Sequence, residues 1–139
     1  MLFFLLTLAM LIPSHKQVEL HCVHFRNNTG HARIAVYNDP KNFCNESIKP
    51  FKEIHCDIIN KECIISIGDL PDGEYAFTIL HDENEDNVMN YDFLGLPKEG
   101  YAFSNNVIPI IKKPGFDACK VKVASGNIIS QTLKVRYLF

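Results

Sequence analysis

The stretch EYAFTILH, Glu74 to His81, is the clearest strand in the chain. Tyr75, Phe77 and Ile79 point to one side of an extended backbone, and Ala76, Thr78 and Leu80 to the other. Aromatic and β-branched residues of this kind fit a pleated surface buried on one face or both. Leu70-Pro71-Asp72-Gly73 supplies the turn that enters the strand. Upstream, VELHCVHF (Val18 to Phe25) also alternates, and RNNTGH links it to ARIAVYN (Ala32 to Asn38), which predicts a hairpin. FKEIHCDII and ECIISIGDL are β-rich and separated by Asn60-Lys61; Asn42 to Ser47 reads as a short helix. Downstream, Val107 to Ile111 is broken by Pro109 and is at best an edge piece. CKVKVA sets Cys119, Val121 and Val123 against Lys120 and Lys122, and Ser125-Gly126-Asn127 turns the chain into a last strand, IISQTLKVRYLF. The pattern predicts an all-β fold, a single antiparallel β-sandwich of about seven strands, with a closed barrel as the alternative. The long polar loop after His81 reads as an ordered crossing between the sheets.

Bulk composition narrows the function classes. The chain has 139 residues, 47% hydrophobic and 22% charged, with ten Phe, five Tyr and no Trp. That is enough for one domain with a real core. A net charge of −2 and scattered basic residues argue against nucleic acid as a partner. Met1 to Ile12 is apolar but for Thr7 and is followed by Pro13, Ser14 and the polar His15-Lys16-Gln17. This has the length of an export-signal core and is short for a membrane span. No Lys or Arg precedes it and no A-x-A follows, which departs from the usual signal pattern; the expected cleavage is after Ser14. The expected division is a signal peptide at 1–14 and a single domain at 15–139, periplasmic or extracellular, with no transmembrane span once the signal is removed. Five cysteines follow: Cys22, Cys44, Cys56, Cys63 and Cys119. In an exported protein these are disulfide candidates, and an odd number leaves one over. Cys56 with Cys63 is the simplest local pair, while Cys22 reads as a buried free thiol. With no C-x-x-C, zinc and thioredoxin-type chemistry have little support. Asn27-Asn28-Thr29 and Asn45-Glu46-Ser47 match the glycosylation sequon, which matters only in a eukaryotic secretory host.

HDENEDNVMNYDFLGLPKEGYAFSNN, His81 to Asn106, holds the candidate chemistry. Asp82, Asn84 and Asp86 place side-chain oxygens at alternate positions, as a loop wrapping calcium does. Val88 offers a carbonyl, and Asn90 and Asp92 fall where later ligands or a bridging water would sit. The EF-hand pattern is not complete: Asn87 stands where it has Gly, and Phe93 where it has Glu. Five acids fall within the eleven residues from Asp82 to Asp92, and their mutual repulsion is relieved either by a cation or by solvent. The same residue types also build metal-free loops by Asx-turns. His81 beside Asp82, with Glu99, is the only acid–base set in view. No nucleophile motif accompanies it, and a histidine at a strand end reads first as a loop fastener. Gly95, Pro97 and Gly100 shape the rest of the loop, Tyr101 and Phe103 anchor it, and Asn105 and Asn106 satisfy backbone groups.

The blocks DLPDGEYAFTILHDEN, GLPKEGYAFSNN and PGFDA, in that order, resemble a bacterial family of small exported proteins known as domain of unknown function 2141. The resemblance runs from about Val18 to the C-terminus and is most specific from Asp69 to Ala118. It implies a periplasmic or surface β-sandwich, transthyretin-like, with no assigned activity. Members of the family often carry D-E-N-x-N-G in the loop; here Asp86-Asn87 replaces N-G, keeping oxygen ligands and losing the glycine. Three functional expectations follow, in order. The first is a non-enzymatic exported binding or accessory module, engaging an unknown ligand or envelope protein, with calcium held by Asp82, Asn84, Asp86, Val88, Asn90 and Asp92. The second is a small envelope hydrolase using His81, Asp82 and Glu99. The third is a structural envelope component crosslinked through the odd cysteine.

Overall fold

The computed structural model describes residues 17–139; the expected signal segment and His15 lie outside them. Eight strands run in chain order: β1 (Gln17–Val23), β2 (His31–Tyr37), β3 (Lys52–Asp57), β4 (Cys63–Ser66), β5 (Gly73–Asp82), β6 (Tyr101–Phe103), β7 (Val121–Val123) and β8 (Ile128–Lys134). One short helix, α1 (Phe116–Cys119), precedes β7. The strands form two sheets, ordered β4-β1-β8 and β3-β2-β5-β6, with β7 also pairing β5. The β-sandwich expected from the sequence is the fold observed. Every pairing is antiparallel except β1 with β8, which runs parallel.

Side-chain alternation assigns the faces. Val18, Leu20 and Cys22 of β1 meet Ala32, Ile34 and Val36 of β2 and Phe77 and Ile79 of β5 in one buried cluster between the sheets. Each such large apolar side chain contributes about 1.5–3 kcal/mol by leaving water. The five-stranded sheet is also covered on its other face. There Ala35, Tyr37, Ala76 and Phe103 pack with Phe116 and Cys119 of α1. Phe43 joins this second layer edge-on to Tyr37 at 5.4 Å and to Phe116 at 5.9 Å between ring centres, the geometry aromatic quadrupoles favour.

Several local expectations change. β1 and β2 do not form a hairpin; they lie in opposite sheets. Val18, Leu20 and Cys22 instead pack across the core against Ala32, Ile34 and Val36, and the Asn28–Gly30 turn makes the crossing. Asn60 and Lys61, both with left-handed φ (52° and 60°), close a two-residue turn between Ile59 and Glu62. The strands then diverge, β3 to one sheet and β4 to the other. The loop after His81 is not a crossing, because β6 pairs with Thr78–Leu80 of the strand it left. Residues 42–47 form Asx-closed turns instead of a helix, with Asn45 Oδ1 accepting from the Ser47 amide at 3.0 Å. Residues 107–111 are not a strand, and Cys119 belongs to α1.

All five cysteines are free thiols. Cys56 and Cys63 do not form the predicted bridge, although their thiols lie within hydrogen-bond reach of each other. Cys63 lies directly opposite Cys22 in the β1–β4 register and also shares a hydrogen bond with Cys56. Burial pushes the Cys56 thiol up to about 12. The hydrogen bond with Cys22, then burial, push Cys63 up as well. Both therefore stay protonated at neutral pH and are poor nucleophiles.

Two glycines are required by close approach. Gly30 has φ +67° and a Cβ there would collide with the Asp82 carbonyl oxygen; at Gly100 a Cβ would enter the Tyr137 ring. Gly30→Ala combines a left-handed alanine with a clash against backbone that has no room to move. It is expected to cost about 2–4 kcal/mol and lower the melting temperature by on the order of 10 °C. An unchanged melting temperature would contradict this packing of β2 against the end of β5.

Candidate metal centre and adjoining cavity

β5 delivers two polar residues to the sheet end, and alternation sends them to opposite faces. His81 turns inward and is fully buried, edge-on to Phe25 at 5.2 Å. Its Nε2 lies 2.8 Å from the Thr29 carbonyl, which only accepts, so Nε2 carries the proton and donates. Nδ1 then accepts from the Tyr137 hydroxyl at 2.6 Å. Both ring nitrogens are thus engaged, and the imidazole fastens the Asn28–Gly30 turn and the C-terminal segment to β5. Tyr137 is in turn stacked beneath Arg26, whose guanidinium carbon is 4.7 Å from the ring centre. Arg26 Nε donates to Glu83 Oε1 at 2.7 Å and Nη2 to the Lys98 carbonyl at 3.3 Å, so one side chain holds both ends of the loop.

Asp82 turns outward and is also fully buried. Glu85 and Asn87, with φ of 60° and 66°, curl the chain back over it. Asn87 occupies the left-handed position that calcium loops give to glycine, a conformation asparagine tolerates. The curl aims the Asp86 amide at Asp82 Oδ1 (3.2 Å) and the Asn87 amide at Oδ2 (2.7 Å). Asp86 accepts from the Val88 amide at 3.1 Å and from the Asn90 and Asn84 side-chain amides at 2.8 and 3.1 Å. These bonds, the Asn90 side chain's first, hold its carboxyl below the ordinary range.

Glu99 completes the group from the far end of the loop. β6 pairs Leu80 with Tyr101, and continuing that register sets Glu99 opposite Asp82. The His81 amide donating to the Gly100 carbonyl at 2.8 Å extends the ladder in this way. Glu99 accepts from the Glu83 amide at 2.8 Å and the Asn90 amide at 3.2 Å. One ligand oxygen each from Asp82, Asp86 and Glu99 lies within 4.8 Å of the others. Burial first, then the charges of Asp82 and Asp86, push the Glu99 carboxyl up. His31 lies alongside: its Nε2 is 3.4 Å from Asp82 Oδ2, out of hydrogen-bond alignment, and its Nδ1 is 3.6 Å from Glu85.

Of the six expected ligands, Asp82 and Asp86 converge. Asn84 and Asn90 sit beside Asp86, each turning an amide N–H toward it. Val88 is tied in through its amide. Asp92 stands apart, its Oδ1 accepting from the Leu94 and Leu96 amides of its own turn, both at 2.9 Å. Glu99 was visible in the sequence only as a partner for Asp82 at unknown distance; the β5–β6 register was the missing signal. Arg26, Tyr137 and His31 carry no local motif. As a cation site the cluster offers hard oxygens, two of the three carboxylates being buried, and each oxygen bonded to an amide keeps a second lone pair. As an acid–base set His81, Asp82 and Glu99 are each fixed by hydrogen bonds, and His81 lies on the opposite face of the sheet from the two acids.

The same loop walls a cavity of about 490 Å³ on the outer face of the five-stranded sheet. Leu80, Tyr101 and Phe103 line it from the sheet, and Val88, Leu96 and Pro97 from the loop.

A two-sheet β domain with a carboxylate-closed loop over its second face is the class these features define. The chain belongs to the family described as an uncharacterized protein conserved in bacteria, domain of unknown function 2141, whose profile matches residues 21–131. No curated protein and no solved structure matches it. Among the described residues no helix is long and apolar enough to cross a membrane.

The shifts of Glu99 and Asp86 have opposite consequences for stability. Glu99 holds its proton to higher pH when folded than when unfolded, so its contribution is present below the unfolded value near about 4.3 and is lost as pH rises through the folded one. Asp86, shifted down, contributes above its unfolded value near about 3.9 and loses that contribution as pH falls. In calcium-free buffer, carbon-13 NMR of the carboxyl groups is expected to find the Glu99 midpoint above the ordinary glutamate value and the Asp86 midpoint below the aspartate one. The reverse order would contradict this geometry.

Proposed function

We propose that this protein is an exported, non-enzymatic binding module of the bacterial periplasm or exterior, built on a transthyretin-like sandwich, with its acid-rich loop braced by a divalent cation of calcium's class. The observation that carries the reading is the double use of one loop. Residues 83–99 gather Asp82, Asp86 and Glu99 at their base and present Val88, Leu96 and Pro97 to the cavity. A cation on the three carboxylates offsets their repulsion and fixes the cavity wall in one conformation. The apolar run from Met1 to Ile12 supports export. The engagement of His81, Asp82 and Glu99 in hydrogen bonds supports binding over catalysis.

Calcium titrated into the purified domain is expected to release or absorb measurable heat. At about one hundred times the dissociation constant it should raise the melting temperature by roughly 5–10 °C. Asp86→Asn, at the exposed corner of the cluster, should remove most of that rise. No heat and no thermal shift at millimolar calcium would sink the cation part. Full-length chain recovered uncleaved from the cytoplasm of its bacterial host would sink the export part.

A further inference from the structure

The cavity has a chemical polarity that narrows what it can hold. Its floor follows the cross-strand row Arg33–Leu80–Tyr101, with Phe103 beyond. One end is therefore a guanidinium and the other is apolar. Ile110 and Ile111 line it too and stand 93% and 96% exposed, so the apolar character reaches the rim. At about 490 Å³ it lies in the size range of small-molecule sites.

Arg33 is incompletely satisfied. Glu53 takes Nη2 at 2.8 Å, while its other oxygen accepts from His55 at 3.1 Å. The Nε–H of Arg33 is shut away from solvent and has no acceptor among the described residues. The other charges at the cavity are Glu46, Lys112 and Lys113. Glu46 is engaged by the Tyr91 hydroxyl at 3.0 Å and by Lys113 at 4.0 Å. Lys112 has no ion pair among the described residues. The lining is thus cationic in a chain whose net charge is −2.

We propose that this cavity binds a long-chain carboxylate of the fatty-acid class, its head accepting from Arg33 and its chain lying over Leu80, Tyr101 and Phe103 toward the isoleucine rim. Nη1 of Arg33 is neither buried nor hydrogen-bonded among the described residues, so a carboxylate in the cavity can accept from it while Glu53 keeps Nη2. Lys112 draws the anion to the mouth. The assignment rests on the reading of the chain as a binding module and names the ligand of that same site.

Delipidated full-length protein is titrated with oleate, oleyl alcohol and lysophosphatidylcholine, followed by displacement of a fluorescent amphiphile. Oleate is expected to bind at least about tenfold more tightly than the alcohol, with the lysolipid weaker than oleate. Arg33→Leu should weaken oleate about tenfold and leave the alcohol unchanged. If that variant does not fold, because Glu53 loses its partner, Lys112→Glu at the exposed mouth serves instead. It should weaken oleate several-fold at an unchanged melting temperature. Alcohol binding equal to oleate, the lysolipid binding most tightly, or variants that leave oleate unaffected would each overturn the carboxylate assignment while the module reading stands. No binding of any of the three would overturn both.

Discussion

Strand β5 is buried on both faces, and the positions of the other functional elements follow from that. Tyr75, Phe77 and Ile79 fill the sandwich core, while Ala76 and Leu80 lie under the loops on the outer face. A strand half-buried on one side can slip by two residues at modest cost; one packed on both sides cannot slip without disturbing two cores. β2 fixes one edge from Ala76 to Asp82, and β6 and β7 share the other. With its register fixed, β5 sends His81 into the core and Asp82 to the outer face at a defined height. The loop has to close over that pair.

How it closes is an electrostatic matter. Asp82 and Glu99 are like charges set opposite each other at a sheet end, an arrangement that by itself destabilises a strand pair. The chain compensates with backbone amides: four of them, from Glu83, Asp86, Asn87 and Asn90, point at the two buried carboxylates. Arg26 adds positive charge at the rim. This gives the loop an ordered interior of its own, which is why it can wall a cavity. It also brings one oxygen each of Asp82, Asp86 and Glu99 within 4.8 Å of one another, the feature on which the cation proposal stands.

The sequence makes the strands legible but not their partners. EYAFTILH announces itself because period-two alternation is local. The choice between a β1–β2 hairpin and a crossing is not local; it depends on whether Val18, Leu20 and Cys22 find a better cover across the core than alongside. The same limit applies to the site. Asp82-x-Asn84-x-Asp86 can be read from spacing, and Asn87 in the left-handed region is where the pattern asks for it. Glu99 emerges only once Leu80 is known to face Tyr101. Asp92, equally acidic and nearer in sequence, closes its own turn. The cysteines show the limit from the other side: Cys56 and Cys63 look paired because the chain between them is short. Their strands nevertheless enter different sheets, and Cys22, distant in sequence, is the direct neighbour of Cys63.

Buried carboxylates order the loop from within. Hydrogen–deuterium exchange resolved by residue tests this most directly. The amides of Glu83, Asp86, Asn87 and Asn90 are predicted to exchange far more slowly than those of an exposed loop, and more slowly still with calcium present. Exchange of all four at unprotected rates, with and without calcium, would contradict the account.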